Sequence, residues 1–507
     1  MMVTTLPSSV LIGMSGHVIE VEVDIARGFP AFTIVGLPDT IVKESKERIR
    51  TAIKNAHLEF PERRLTVNFV PANLKKDGSH LDLPIALGVL RVGDDAPGLK
   101  HIGVLGELGL SGQVIGVKGV IPLLIALQEQ GVTRVIIPRA NLDQAKLLKD
   151  MTVYPVEHLQ EAYKLYESID RVEGVFCNGD FKKTMHRLDD FSEVSGQEHA
   201  KRALEIAASG GHHVLMMGPP GSGKTMLARR VPGIMPDLAY EEVVELTKVY
   251  SVSNNIAPSG VVTDRPFRSP HHTISSVSLC GGGTNPKPGE VTLAHRGVLF
   301  LDELPEFKRS AIESLRQPIE DRRIQISRST GTVDFPCYFT LIGAFNPCPC
   351  GYLGDIERQC KCSPIQVIRY LSKLSGPMID RFDMQLILPK VPYESLRVVK
   401  ESEPSRTIKE RVEKARLIQF TRYGDVFKLN AHMSTKDIKV YCDLNDETEA
   451  FLKKAYHIMK LSARSLTNIL KLSRTIADMD GAEEIRLEHV SEALQYRRID
   501  KEVLSDV

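Results

Sequence analysis

Apolar positions in the first third of the chain change period several times. Ile19, Val21, Val23 and Ile25 alternate with Glu20, Glu22 and Asp24, which predicts a strand with one wet face. From Asp39 the spacing lengthens, and Val42, Ile49, Ala52, Ile53 and Ala56 fall on one side of a helix. A strand over 65–70 follows, then glycine-rich turns from Gly103 to Gly119, an apolar helix over 120–130 and a strand at 135–137 that Pro138 ends. The pattern predicts an α/β domain over residues 1–167. Residues 168–188 are polar and mixed in charge, with Gly174 and Gly179, and read as a linker.

Farther along, alternation gives way to short, mostly apolar runs at 214–217, 298–301 and 339–344. Such runs predict a parallel sheet covered on both faces, the core of a second domain over 189–390. Beyond 391 the spacing is helical, over 408–420, 448–460, 462–479 and 487–496. In the third of these segments Leu466, Ile469, Leu470, Ile476 and Ala477 form an inner stripe and Gly481 is a stop. Residues 391–507 thus read as a small helical lid.

Composition narrows the partners. The net charge of 507 residues is +1, so any nucleic-acid contact must come from local loops rather than an overall field. Aromatics make up 6% and Trp is absent, which argues against a surface built for base stacking. Residues 1–9 hold no basic segment before an apolar core, and no run approaches membrane-spanning length, so a cytoplasmic protein without a membrane partner is expected. Eight cysteines fit that compartment as thiols or metal ligands.

The chemistry concentrates after the first apolar run of the second domain. Gly218, Pro219, Pro220, Gly221, Ser222, Gly223, Lys224 and Thr225 form a phosphate loop between a strand and a helix. Its glycines let backbone N–H groups curl around phosphate oxygens, Lys224 neutralises the outer phosphates of ATP, and the Thr225 hydroxyl is placed to ligate Mg2+. Asp302 ends the next run and is the expected second magnesium ligand, with Glu303 beside it as the base for the attacking water. Asn346, after the following run, is the candidate for orienting water or sensing the γ-phosphate. Arg381 reads as a finger inserted into a neighbouring subunit's site, and Arg464 as a second arginine that reaches the γ-phosphate from the lid. Cys348, Cys350, Cys360 and Cys362 bring four thiolates within reach of one tetrahedral site, for which zinc is the natural ion.

Several of these stretches together carry a family resemblance. Arg268 to His272, Gly281 to Gly283, Asn285-Pro286, Pro288 to Glu290, Leu301 to Phe307, Asn346 to Gly351 and Ser375 to Pro377 resemble the ComM/YifB family of magnesium-chelatase-like AAA+ proteins over essentially the whole chain. The resemblance implies a ring-forming, hexameric ATPase. For the ComM branch it implies a DNA helicase that drives branch migration of recombination intermediates during natural transformation, alongside recombination proteins. In similar motors an insertion and a hairpin project into the ring's pore. Here these fall at 279–290 and 326–333 and carry Lys287 and Arg328 as candidate DNA contacts. Asn468 departs from the pattern, where a basic lid residue is expected, which leaves Arg464 as the sensor. A chelatase motor subunit and a general protein remodeller are the alternative functions.

The N-terminal domain, through Lys76 to His80, Gly106 to Gly112 and Gly131 to Pro138, resembles the Lon protease domain, a ribosomal S5 domain 2-like α/β fold. The position of that family's nucleophilic serine falls on His80 and that of its lysine on Ile121. Ser79 and Lys118 are offset by residues that a hydrogen-bonded dyad does not absorb, so no proteolysis is expected.

Overall fold

The computed structural model describes residues 3–92, 101–181, 183, 189–253, 255, 260–283, 286–328, 331–355, 357–390 and 402–497, the side chains of 328 and 331 excepted. The N-terminal region holds two four-stranded sheets. In the first, Val3–Ile12, Ser15–Ala26, Arg64–Val70 and Ala31–Val35 lie in that spatial order, with only the last pair parallel. Val21 and Val23 are fully buried on its inner face while Glu20 is exposed, as the alternation requires. The helix Thr40–Asn55 packs Val42, Ile49, Ala52 and Ile53 inward and is started by Asp39, whose carboxylate accepts from the Val42 N–H at 2.8 Å.

The second sheet corrects part of the expected linker. Val175–Asn178 pairs antiparallel with Lys149–Val156, followed by Arg134–Pro138 and Ile102–Val104. Cys177 is fully buried there while Phe176 and Asn178 face outward, a short alternation hidden by the surrounding polar residues. Residues 182 and 184–188 of that segment lie outside the described ones.

The central sheet has five parallel strands in the order Phe267–Arg268, Val298–Leu301, Thr340–Phe345, Val214–Met217 and Met384–Ile387. Residues 214–217 and 298–301 are buried throughout, because helices cover both faces. Each Val, Leu or Phe so buried contributes about 1.5–3 kcal/mol. All five strands run the same way, so one edge of the sheet collects every carboxyl end and the opposite edge every amino end.

The C-terminal helices Ser405–Tyr423, Asp446–Met459, Ala463–Met479 and Leu487–Gln495 pack on this core. Ile469, Ile476 and Ala477 of the expected stripe are buried, and Leu466 and Leu470 are partly so.

Contacts among the described residues join the N-terminal region to the core at two main places, the helix Tyr240–Val252 and the turn at Gly13. Helix Tyr240–Val252 sets Val243 among Val120, Leu123 and Leu124, and its Tyr240 hydroxyl donates to the Leu147 carbonyl at 2.5 Å. The turn at Gly13 and Met14 reaches the hairpin formed by Arg323–Arg328 and Gly331–Pro336. Gly13 has φ +63°, and a Cβ on it would come within 2.3 Å of a Val333 methyl, so only glycine allows this approach.

Candidate nucleotide site

The carboxyl edge of the central sheet gathers most of the expected groups. Strand Val214–Met217 runs into the loop, and helix Lys224–Ile234 leaves it, aiming its unpaired N–H groups and positive dipole end back at the loop. Gly221 at φ +80° and Gly223 at φ +91° take the left-handed conformation that the curl needs. The Lys224 ammonium donates to the carbonyls of Gly218 and Pro219 at 2.7 and 3.0 Å and to Asn346 Oδ1 at 3.1 Å. Burial lowers its pKa, and the nearby Asp302 carboxylate opposes that.

Thr225 Oγ1 donates to Asp302 Oδ2 at 2.8 Å. These are two hard oxygen ligands from different elements meeting at one point, a set that fits a magnesium ion. Glu303 follows in a left-handed conformation, φ 52° and ψ 44°, which is costly for a residue with a Cβ and typical of functional sites. Its carboxylate is more than half exposed and lies 3.2 Å from His272 Nδ1.

Sequence pattern assigns that histidine no role, although it stands in one of the stretches that carry the resemblance. Its partner lies 31 residues on, and the pairing of Phe267–Arg268 with Val298–Leu301 brings the two segments side by side.

The four cysteines meet. Their sulfurs all lie within 4.8 Å of one another, and three of the separations are 3.4, 3.6 and 3.6 Å. A tetrahedral zinc with four thiolates requires sulfurs about 3.8 Å apart, so the donor set fits that ion. The cluster is built against the phosphate loop. A Cβ on Gly351 would lie 2.7 Å from the Pro220 ring and 3.8 Å from the Asn346 amide carbon.

Arg381 and Arg464 are placed elsewhere. With Arg322 and Lys471 they line a cavity of about 220 Å³ that also contains His213, Phe339 and Asp383, the residues immediately before three strands of the sheet. This is the amino edge, and a strand of four residues separates it from the chain's own phosphate loop by roughly 13 Å. Arg464 is therefore beside Arg381, not over the loop. Burial lowers the pKa of Arg381; Glu320 opposes this, and Arg464 and Arg316 add to it. Asn468 faces the same cavity, its amide 3.5 Å from the Asp380 carbonyl.

The candidate DNA contacts are on two hairpins. Lys287 is exposed on the short pair formed by Gly281–Gly282 and Lys287–Pro288; residues 284 and 285 lie outside the described ones. Arg328 ends the strand Arg323–Arg328, and its side chain is outside what the structure describes.

At the Lon-like position the Ser79 hydroxyl donates to Glu107 at 2.5 Å, buried His80 contacts the Ser9 carbonyl at 2.9 Å, and Ile121 is fully buried. Lys76 donates to the Pro71 carbonyl and Lys118 is exposed, so neither lysine is the partner of Ser79. Among the described residues no helix is long and apolar enough to cross a membrane.

Comparison with known proteins agrees with this layout. The family described as magnesium chelatase, subunit ChlI, matches residues 190–396; its C-terminal part matches 402–497, and a further model, subunit ChlI of Mg-chelatase, matches 21–141. Competence protein ComM of Haemophilus influenzae is 44% identical over 96% of this chain and 95% of its own length. The uncharacterized protein YifB of Escherichia coli is 41% identical over 97% and 96%. Lon protease 2 of Bacillus subtilis is 28% identical over 35% of this chain and 33% of its own, and the likeness lies in the N-terminal region. A Lon-like α/β region, an AAA+ core with a parallel sheet and C-terminal helices thus follow one another, and the chain belongs to the ComM/YifB family of magnesium-chelatase-like AAA+ proteins.

Proposed function

We propose that the protein is an ATP hydrolase that works as a ring of identical subunits, a hexamer as the family resemblance implies, and acts on branched or single-stranded DNA. The observation that carries the ring is the separation of Arg381 and Arg464 from their own phosphate loop. Two arginines on the far edge of the sheet serve hydrolysis only if they meet the nucleotide of the next copy, in a head-to-tail contact that closes.

Within one subunit, loop N–H groups and Lys224 hold the β- and γ-phosphates, and Asn346 leaves Lys224 to face them. Thr225 and Asp302 hold magnesium, which when bound neutralises phosphate oxygens and fixes their geometry. Glu303 takes the proton of the attacking water. The arginines of the neighbour neutralise charge that grows on the γ-phosphate, an effect of about a thousandfold or more. The four cysteines would hold a structural zinc, fixing the loop whose Gly351 packs against Pro220 and Asn346.

DNA enters this reading through the relationship to a competence protein and the two hairpins. Lys287 and Arg328 would grip phosphates and move with the ATP cycle. Branch migration in recombination, together with recombination proteins, is the process this serves. A second reading, a chelatase-type remodeller of protein partners, is favoured by the magnesium chelatase models that cover the core and lid. The test compares ATPase stimulation by forked or four-way DNA with stimulation by protein partners, using Glu303→Gln as the hydrolysis-dead control. DNA stimulation that falls severalfold in a Lys287→Ala, Arg328→Ala variant supports the first reading. Stimulation by protein alone replaces it with the second.

A further inference from the structure

The two arginines at the amino edge converge on a single atom. Arg381 donates from Nη2 to Glu320 Oε1 at 2.9 Å, and Arg464 Nη1 lies 3.1 Å from the same oxygen. Arg381 is further fixed by donating from Nη1 to the Pro377 carbonyl at 2.6 Å, while its Nε is buried with no hydrogen-bond partner among the described residues. The arginine side chains come from different parts of the chain, 83 positions apart, so their common target is a product of the fold.

The surroundings do not call for this carboxylate on structural grounds. Glu320 and Arg464 side chains are 46% and 40% exposed, so that pair is weak, while Arg381 is only 9% exposed and meets Glu320 at the cavity's edge. The cavity has four cationic side chains, Arg322, Arg381, Arg464 and Lys471, against the two carboxylates of Glu320 and Asp383. One more anion would complete it. A phosphate offers several oxygens, so it suits two converging guanidinium groups better than the one oxygen that Glu320 shares between them.

We propose that Glu320 is a placeholder for the terminal phosphate of ATP bound by the neighbouring copy: it holds Arg381 and Arg464 converged and yields them when that phosphate arrives. Glu320 is a positioning residue, since it acts through the arginines and touches no substrate. The proposal rests on the reading of both arginines as groups that act on a neighbour's nucleotide. It adds that their capture of phosphate is a competition against a charge built into the same subunit.

The test uses the full chain carrying Glu303→Gln, so that ATP persists, and measures dissociation constants for ATP and ADP by competition with a fluorescent nucleotide. Adding Glu320→Gln should tighten ATP binding by about threefold to tenfold, the size expected for losing two ion pairs that share one half-exposed carboxylate, and leave ADP unchanged. Glu320→Ala should act in the same direction. Neither substitution should tighten ATP binding once Arg381→Ala and Arg464→Ala are present. Unchanged or weaker ATP binding in Glu320→Gln overturns the placeholder, as does equal tightening of ADP. If Arg381→Ala and Arg464→Ala leave ATP affinity unchanged in this background and leave turnover unchanged in the chain with Glu303 intact, the neighbour-acting reading falls as well.

Discussion

At the carboxyl edge of the central sheet, Lys224 with Asn346 and Thr225 with Asp302 form hydrogen bonds of 3.1 and 2.8 Å. At the amino edge of the same sheet, Arg381 and Arg464 crowd one another and share one oxygen of Glu320. The first edge satisfies its polar groups within one chain. The second holds a surplus of cations and a buried donor without a partner among the described residues. In the proposed head-to-tail assembly the cationic edge of one copy would meet the nucleotide held at the carboxyl edge of the next.

Mixing two dead variants tests that comparison with the largest effect. Lys224→Ala and Arg381→Ala should each lower ATP turnover about a thousandfold. Mixed in equal amounts, they should recover activity at up to about a quarter of sites, since random assembly places an intact loop beside an intact arginine that often. Absence of recovery would falsify the division between the edges.

Stripping metal sharpens the comparison, because only one edge has the cysteine cluster. Purified protein should contain close to one zinc per chain, and Cys360→Ser should lose it and lower ATP turnover roughly tenfold to a hundredfold, the range for groups that orient a site from outside. Metal content measured by mass spectrometry is the independent readout, and less than a tenth of an equivalent in the parent protein removes the cluster from the account.

A smaller effect is expected from Gly351→Ala. It forces a left-handed residue at φ +86° to accept a Cβ against the Pro220 ring. ATP affinity should weaken severalfold with zinc retained. The smallest is His272→Ala, which removes the partner of Glu303 and should lower turnover severalfold without changing ATP affinity. Loss of affinity in that variant would assign His272 to binding instead.

What could be read along the chain follows from how locally each feature is encoded. The loop from Gly218 to Thr225 is contiguous, and the four cysteines lie within 15 residues, so spacing alone exposes both. The continuous apolar runs at 214–217 and 298–301 likewise signal a sheet covered on both faces. Glu320 gave no such signal. It is an ordinary acidic residue in a short helix, and its meaning depends on partners 61 and 144 positions away. The contact of Gly351 with Pro220 and that of His272 with Glu303 are similarly created by strand order. The strand at 175–178 was concealed because its four residues sit in polar surroundings and are held by pairing with Lys149–Val156 rather than by strong local preference.

The turn at Gly13 and Met14 has a practical consequence. Met14 belongs to the same buried cluster as Val333 and Phe335 of the core hairpin, while Val243 of the core belongs to a cluster of the N-terminal region. Each part therefore plugs an apolar opening in the other, and a shortened chain beginning near residue 189 would bare the surface around Val243 and Val333 to water. Such a fragment would be an aggregation-prone reagent rather than a minimal motor, and calorimetry of the intact chain should show these two parts melting in a single cooperative transition.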